Sequence, residues 1–213
     1  MSHSVFISNP SALQSSFEAA PLVSFPQFLA FCEQLVAEGR TSGPTQSEFL
    51  IFFTKLNYQR MVRWNRTAVV LPETLLALQQ APAQHWFVIT EAWCGDSAQN
   101  LPLIAKMAEA AGEHITLRIL LRDTHPELID AYLTNGSRSI PKLVSFDAAS
   151  GTELFSWGPR PHSANALYQD WKKDPAGRDF EAFEKELHTW YAHNKGQEMQ
   201  AELTQLLMGS KTV

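Results

Sequence analysis

Apolar and polar positions follow two different periods along this chain, and the change between them falls near residue 83. Before that point the spacing is helical. Phe25, Phe28, Leu29, Cys32, Leu35 and Val36 recur at i, i+3, i+4 and i+7, with Ser24 placed as an N-cap and Gly39 as a stop. Thr41-Ser42-Gly43-Pro44-Thr45 is a loop by composition, and a Phe- and Leu-rich stretch over 46–66 predicts a second helix. Pro72 opens a third, short helix that ends before Pro82. Residues 1–20 are polar and mixed, which predicts an irregular lead-in.

After residue 83 the apolar residues come in short runs. Residues 85–90 and 115–121 read as strands, with a helix over 97–111 interrupted by Pro102 between them. A helix over 126–133 and an Asn135-Gly136 turn lead into strands over 142–146 and 153–157, which Asp147-Ala148-Ala149-Ser150-Gly151 joins as a hairpin. Helices over 163–173 and 179–207 close the chain. The order β-α-β-α-β-β-α predicts an α/β fold, a mixed central sheet with helices on its faces. We expect a single domain over 1–213, with a helical N-terminal extension over 20–82, a core over 83–173 and one long C-terminal helix within 174–213.

Composition narrows the function classes. With 45% hydrophobic residues, 6 Trp and 13 Phe, the 213-residue chain can bury a sizeable core. A net charge of -5 gives no basic footprint for nucleic acid. No apolar run approaches the roughly 20 residues of a membrane span, and the N-terminus lacks a charged segment followed by an apolar one. Two cysteines make no disulfide framework, and with scattered histidines they offer no metal-ligand spacing, so we expect no metal and a reduced, cytoplasmic setting.

The candidate chemistry lies in Glu91-Ala92-Trp93-Cys94-Gly95-Asp96-Ser97, where a strand gives way to a helix. A thiol at such a junction sits over the unpaired N–H groups and positive end of the helix, both of which favour the thiolate. On that basis Cys94 is expected to be reactive and at least partly exposed. Asp96, within one turn, opposes that field unless it is held away by capping. Ser97 can donate to the sulfur but cannot expel a mixed disulfide. Cys32 lies on the apolar stripe of its helix and reads as core. Arg60, Arg63 and Arg66 read as a solvated helix face, with an anion-binding face as the alternative. Arg122-Asp123, at the end of a strand on the same rim as Cys94, reads as structural.

Four features together resemble the thioredoxin superfamily over roughly residues 83–173. Trp93-Cys94-Gly95 matches the start of its redox signature, and Pro102 stands where its active-site helix is kinked. Ser139-Ile140-Pro141-Lys142 is similar to its cis-proline segment, and Trp157-Gly158 ends a hairpin strand where the family places a glycine that lets substrate backbone approach. Trp-Cys-Gly-Asp followed by Trp157-Gly158-Pro159-Arg160-Pro161 looks most like a bacterial branch with a helical N-terminal extension. The departures form a set: Ser97 replaces the resolving cysteine, Asp96 replaces a proline, and Val88 stands where the family buries a proton-accepting Asp.

What the resemblance implies is a thioredoxin-like fold and a monothiol thiol–disulfide oxidoreductase of CxxS type. Cys94 would be the nucleophile, with Ser97 and the helix end stabilising its thiolate. Trp93, Gly95, Asp96, Ile140, Pro141, Gly158 and Arg160 would surround the substrate. The cis bond would offer backbone before Pro141 to a substrate strand, and Arg160 could hold a carboxylate of glutathione or of a peptide. No cofactor is implied beyond a thiol such as glutathione as co-substrate. The partner is a thiol or disulfide compound or protein. The alternative is a redox-inactive module that binds a peptide or protein partner in the groove between Trp93 and Pro141.

Overall fold

A computed structural model describes residues 10–21 and 23–209 of the chain. Four helices precede the sheet: α1 (Pro10–Ala19), α2 (Phe25–Ala37), α3 (Glu48–Thr67) and α4 (Pro72–Gln80). The core continues with β1 (Gln84–Thr90), α5 (Gly95–Ala110), β2 (Ile115–Leu121), α6 (Pro126–Asp130), β3 (Lys142–Asp147), β4 (Glu153–Trp157) and α7 (His162–Lys173). Two more helices follow, α8 (Phe180–Asn194) and α9 (Gln197–Gly209).

The sheet order is β2-β1-β3-β4, with β1 parallel to β2 and antiparallel to β3, and β4 antiparallel to β3. This is the expected mixed sheet. Val88 sits in the middle of β1, opposite Ile119 on one side and Leu143 on the other. Successive side chains of a strand point to opposite faces, and here both faces are covered. Trp86 and Val88 pack with α2, α4, α5 and α9, whereas Phe87 and Ile89 pack with α1 and α6. That double burial is why β1 reads as a continuous apolar run instead of an alternating one.

Two expectations from the sequence are corrected. Residues 10–19 of the presumed irregular lead-in form α1; residues 1–9 lie outside the described residues. Leu13, Phe17 and Ala20 form a buried stripe, and the Phe17 ring stacks on Phe87 with centroids 5.0 Å apart. Burial on the far face of the sheet, not local propensity, stabilises this helix. The single closing helix over 179–207 is two helices. Lys195 and Gly196 both take left-handed backbone, φ 54° and 77°, which ends α8 and redirects the chain. Pro102, by contrast, lies inside an unbroken α5.

Among the described residues no helix is long and apolar enough to cross a membrane, and no group of three or more His, Cys, Asp or Glu could hold a metal ion.

Candidate active site

The site begins where β1 ends. Cys94 is the N-cap of α5, so its backbone is extended while its carbonyl already accepts from Ala98 at 3.1 Å. Its sulfur accepts from the Ser97 N–H at 3.4 Å, satisfying one of the unpaired amides of the first turn. The sulfur also lies 3.3 Å from the carbonyl oxygen of Ile140. A carbonyl only accepts, so the thiol must donate there, and that contact exists only while Cys94 is protonated.

Cys94 is 6% exposed, which corrects the expectation of an at least partly exposed thiol. Burial, and then the Asp96 carboxylate, push the Cys94 thiol up to about 11, against the opposing pull of the Ser97 hydroxyl, the Ser97 amide and Arg160. The helix terminus is therefore present but outweighed. Ser97 is itself buried. It receives a hydrogen bond from the Thr90 hydroxyl at 2.6 Å, which leaves its own proton directed to the sulfur.

Asp96 is fully engaged. Its carboxylate pairs with Arg160 at 2.6 Å and accepts from the Tyr191 hydroxyl at 2.9 Å, while Asn100 reaches both Tyr191 and the Asp96 carbonyl. Arg160 lies 4.3 Å above the Tyr168 ring. The resemblance offers this arginine a carboxylate of glutathione or of a peptide; the structure pairs it with an internal carboxylate and stacks it on an aromatic ring, both on helices of the fold itself.

Trp93 is held from two directions. Arg122 stacks on its ring at 4.8 Å, while Asp123 and the Arg138 carbonyl fix the guanidinium at 2.7 and 3.3 Å. From α3, Asn57 donates to the Trp93 carbonyl at 2.8 Å, and Arg60 donates to Asn57 at 2.8 Å while pairing with Glu184 at 3.4 Å. Arg60 thus supports the active-site turn, whereas Arg63 and Arg66 are exposed.

The bonds at Ile140-Pro141 and Gly158-Pro159 are both cis. Gly158 has φ 115°, and a side-chain carbon there would overlap the carbonyl oxygen of Pro141. The glycine therefore makes room for the Pro141 carbonyl. The carbonyl before Pro141 is occupied by the Cys94 thiol.

These elements enclose a cleft of about 470 Å³. Trp93, Cys94, Gly95, Asp96, Ile140 and Arg160 all line it, whereas Ser97, Pro141 and Gly158 stand behind its surface. Its far wall is one that sequence reasoning misses: Phe49 and Phe53 from α3, Tyr168 from α7, and Phe180, Phe183 and Leu187 from α8. The aromatic spacing of 49, 53, 180 and 183 is visible in the sequence, but no local pattern indicates that two segments so far apart face one thiol.

Glu91 is a second residue that sequence reasoning misses. It is 1% exposed, accepts from the Asp123 amide at 2.8 Å and from the Ser42 hydroxyl, and Ser42 in turn accepts from the Ala92 amide at 2.9 Å. A carboxyl between an apolar strand and a Trp-Cys pair is the available signal. Cys32 lies in the core at 0% exposure, and burial followed by the Glu91 charge pushes its thiol up to about 12.

No curated protein matches this chain. Among solved structures, a Pseudomonas aeruginosa protein of unknown function is similar over 91% of this chain and 95% of its own, with a TM-score of 0.59 and 14% identity. An HIV epitope scaffold is similar over 88% and 99%, with a TM-score of 0.51 and 14% identity. At that identity both show the fold alone. The family model described as thioredoxin matches residues 43–172, more than half of the chain and all of the segment that carries Cys94, Pro141 and Gly158, and so the chain belongs to the thioredoxin family.

Proposed function

We propose that this protein is a monothiol thiol–disulfide oxidoreductase acting through Cys94 on a thiol or protein disulfide partner received in the aromatic-walled cleft. The observation that supports this reading is the position of Cys94 as an N-cap at the floor of an open cleft, within reach of an amide, a hydroxyl and the carbonyl before a cis-proline. The Cys94 thiolate attacks one sulfur of a disulfide RS–SR′, forming Cys94–S–SR and releasing R′S⁻. An external thiolate, glutathione in the cytoplasm, then attacks the R sulfur of that mixed disulfide and regenerates the Cys94 thiolate. Each step breaks one S–S bond and forms another. Ser97 cannot release the adduct, so the second thiol comes from outside.

The protonated resting state sets the pace. With the thiol near 11, only about one molecule in 10⁴ carries a thiolate at pH 7. Attack therefore becomes efficient only when a docked partner loosens the Asp96 field or the S–H contact to Ile140. The same pKa favours a second reading, a binding module in which the cleft recognises a partner without turnover.

Alkylation of Cys94 across pH, combined with mass spectrometry after treatment with oxidised glutathione, separates the two. A Cys94 adduct that added thiol releases supports the oxidoreductase. No adduct at any pH at which the protein stays folded refutes it. A Cys94→Ser protein that still binds partners isolated with the native chain would establish the module.

A further inference from the structure

A second cavity, of about 520 Å³, lies between the end of α3 and the α8–α9 corner, separated from the thiol cleft by His188, which lines both. Its wall carries Arg60, Arg63, Trp64, Lys195 and Gln197, and it contains no carboxylate. In a chain of net charge -5, such a concentration of positive charge is not a sample of the average surface.

Arg60 is neutralised by Glu184 at 3.4 Å. Among the described residues Arg63 and Lys195 have no ion-pair partner, and both side chains are exposed. The attraction of basic residues to a helix C-terminus explains Arg66, which lies in the last turn of α3, but not Arg60 and Arg63, which lie further back. Positions 60 and 63 are i and i+3, so their guanidinium groups share one face of α3. The carbonyl ends of α3 and α8 border the cavity and disfavour an anion. The N-terminal end of α9, which starts at Gln197, opposes them.

Trp64 is fixed in place. Its indole N–H donates to Gln99 Oε1 at 2.5 Å, so the Gln99 amide nitrogen must face His188 Nδ1, 2.7 Å away. The indole is thus a preorganised planar wall beside two unmatched charges.

We propose that this cavity is a binding site for a phosphate monoester carried on a planar, aromatic-sized body. Arg63 and Lys195 supply two positive charges, which match the charge of about -1.5 to -2 on a phosphate monoester at neutral pH. The guanidinium fork of Arg63 engages two phosphate oxygens, Lys195 acts as a point charge, and the planar group packs on Trp64. The site is separate from the Cys94 cleft and does not depend on how that thiol reacts.

The test is a titration of the full chain with phenyl phosphate, phenol and inorganic phosphate, following the tryptophan indole N–H resonances and the binding heat. Phenyl phosphate is expected to saturate and to shift the Trp64 indole signal, with phenol and inorganic phosphate each at least about tenfold weaker, because each lacks one of the two contacts. The exposed double substitution Arg63→Gln with Lys195→Gln, which adds no negative charge to the helix ends, should weaken phenyl phosphate at least about tenfold while leaving the thermal unfolding curve in place. Absence of saturation up to about 10 mM would overturn the proposal. So would equal binding by the double variant, equal affinity for inorganic phosphate, or a shift of Trp93 in place of Trp64.

Discussion

Replacing Asp96 with asparagine should turn Cys94 from a resting thiol into a responsive one. Asp96 is the largest charge opposing the thiolate, and Arg160, the cation that favours it, is at present shared with Asp96 at 2.6 Å. Removing a like charge at this range lowers a pKa by about one unit or more. The freed Arg160 acts in the same direction. Each unit multiplies the thiolate fraction by about ten, so alkylation of Cys94 at pH 7.5 should rise at least about tenfold from its starting point near 11. The amide oxygen of the new side chain still accepts from Arg160 or Tyr191, which limits the stability loss to about 1–3 kcal/mol. The assay is iodoacetamide labelling across pH with the two cysteines resolved by peptide mass; Cys32, at 0% exposure, serves as an internal marker of unfolding. Arg160→Gln should move the Cys94 midpoint the opposite way. A midpoint for Asp96→Asn that stays in place or rises would refute this account of the site's electrostatics.

Alkali should destabilise the protein through its thiols: the folded-state values of Cys32 and Cys94 are raised from 9.0 to about 12 and about 11, so their contribution is complete below pH 9 and is lost as pH rises through that window. Urea titrations between pH 9 and 11 should show the slope of stability against pH shrinking by about 1.4 kcal/mol per pH unit in Cys32→Ala; an unchanged slope would count against the raised value. At Glu91 burial raises the folded pKa despite the bonds from Ser42 and Asp123, so protonation favours the fold, and that contribution fades as pH rises above the ordinary carboxylate range. Glu91→Gln should flatten the acid-side dependence at little cost. Glu91→Leu, which strands the Ser42 hydroxyl and the Asp123 amide, should cost about 2–4 kcal/mol in the same urea assay. Gly158→Ala should lose at least about 2 kcal/mol of unfolding free energy, because its φ of 115° and the Pro141 carbonyl both exclude a side chain; a melting temperature equal to the native one would contradict that packing.

Much of the sheet and the thiol's location were legible in the sequence, because they depend on local signals: the apolar run of β1, the strand-to-helix change at Cys94, the prolines at 102 and 141, the glycine at 158. The boundaries of β2 and β4 match the pattern to the residue. What was not legible depends on contacts between distant segments. The pairing of Asp96 with Arg160 spans two elements, and the Tyr191 hydroxyl reaches Asp96 from 95 residues away. The raised thiol pKa followed from burial, which the N-cap position alone did not reveal. α1 was hidden because its stripe is short and its partner, Phe87, lies on the face of β1 that a simple alternation would leave to solvent.

The start of α7 has a consequence for where this molecule can be divided. Pro161 caps that helix without any side-chain bond, and the work falls to α9: Glu202 accepts from the His162 amide at 2.7 Å and from the Trp157 indole at 2.6 Å, and Glu198 accepts from the Ser163 amide at 2.7 Å. The loop that carries Arg160 to Asp96 is thereby clamped from beyond the stretch that the family model matches, which ends at residue 172. A recombinant fragment trimmed to that stretch would keep the signature cysteine and the sheet, yet forfeit the anchor of its arginine, the Tyr191 hydroxyl and the aromatic wall of α8. The structural unit that holds this cleft is therefore larger than the stretch the family model matches, and grafting or swapping experiments must carry the last two helices along with the thiol.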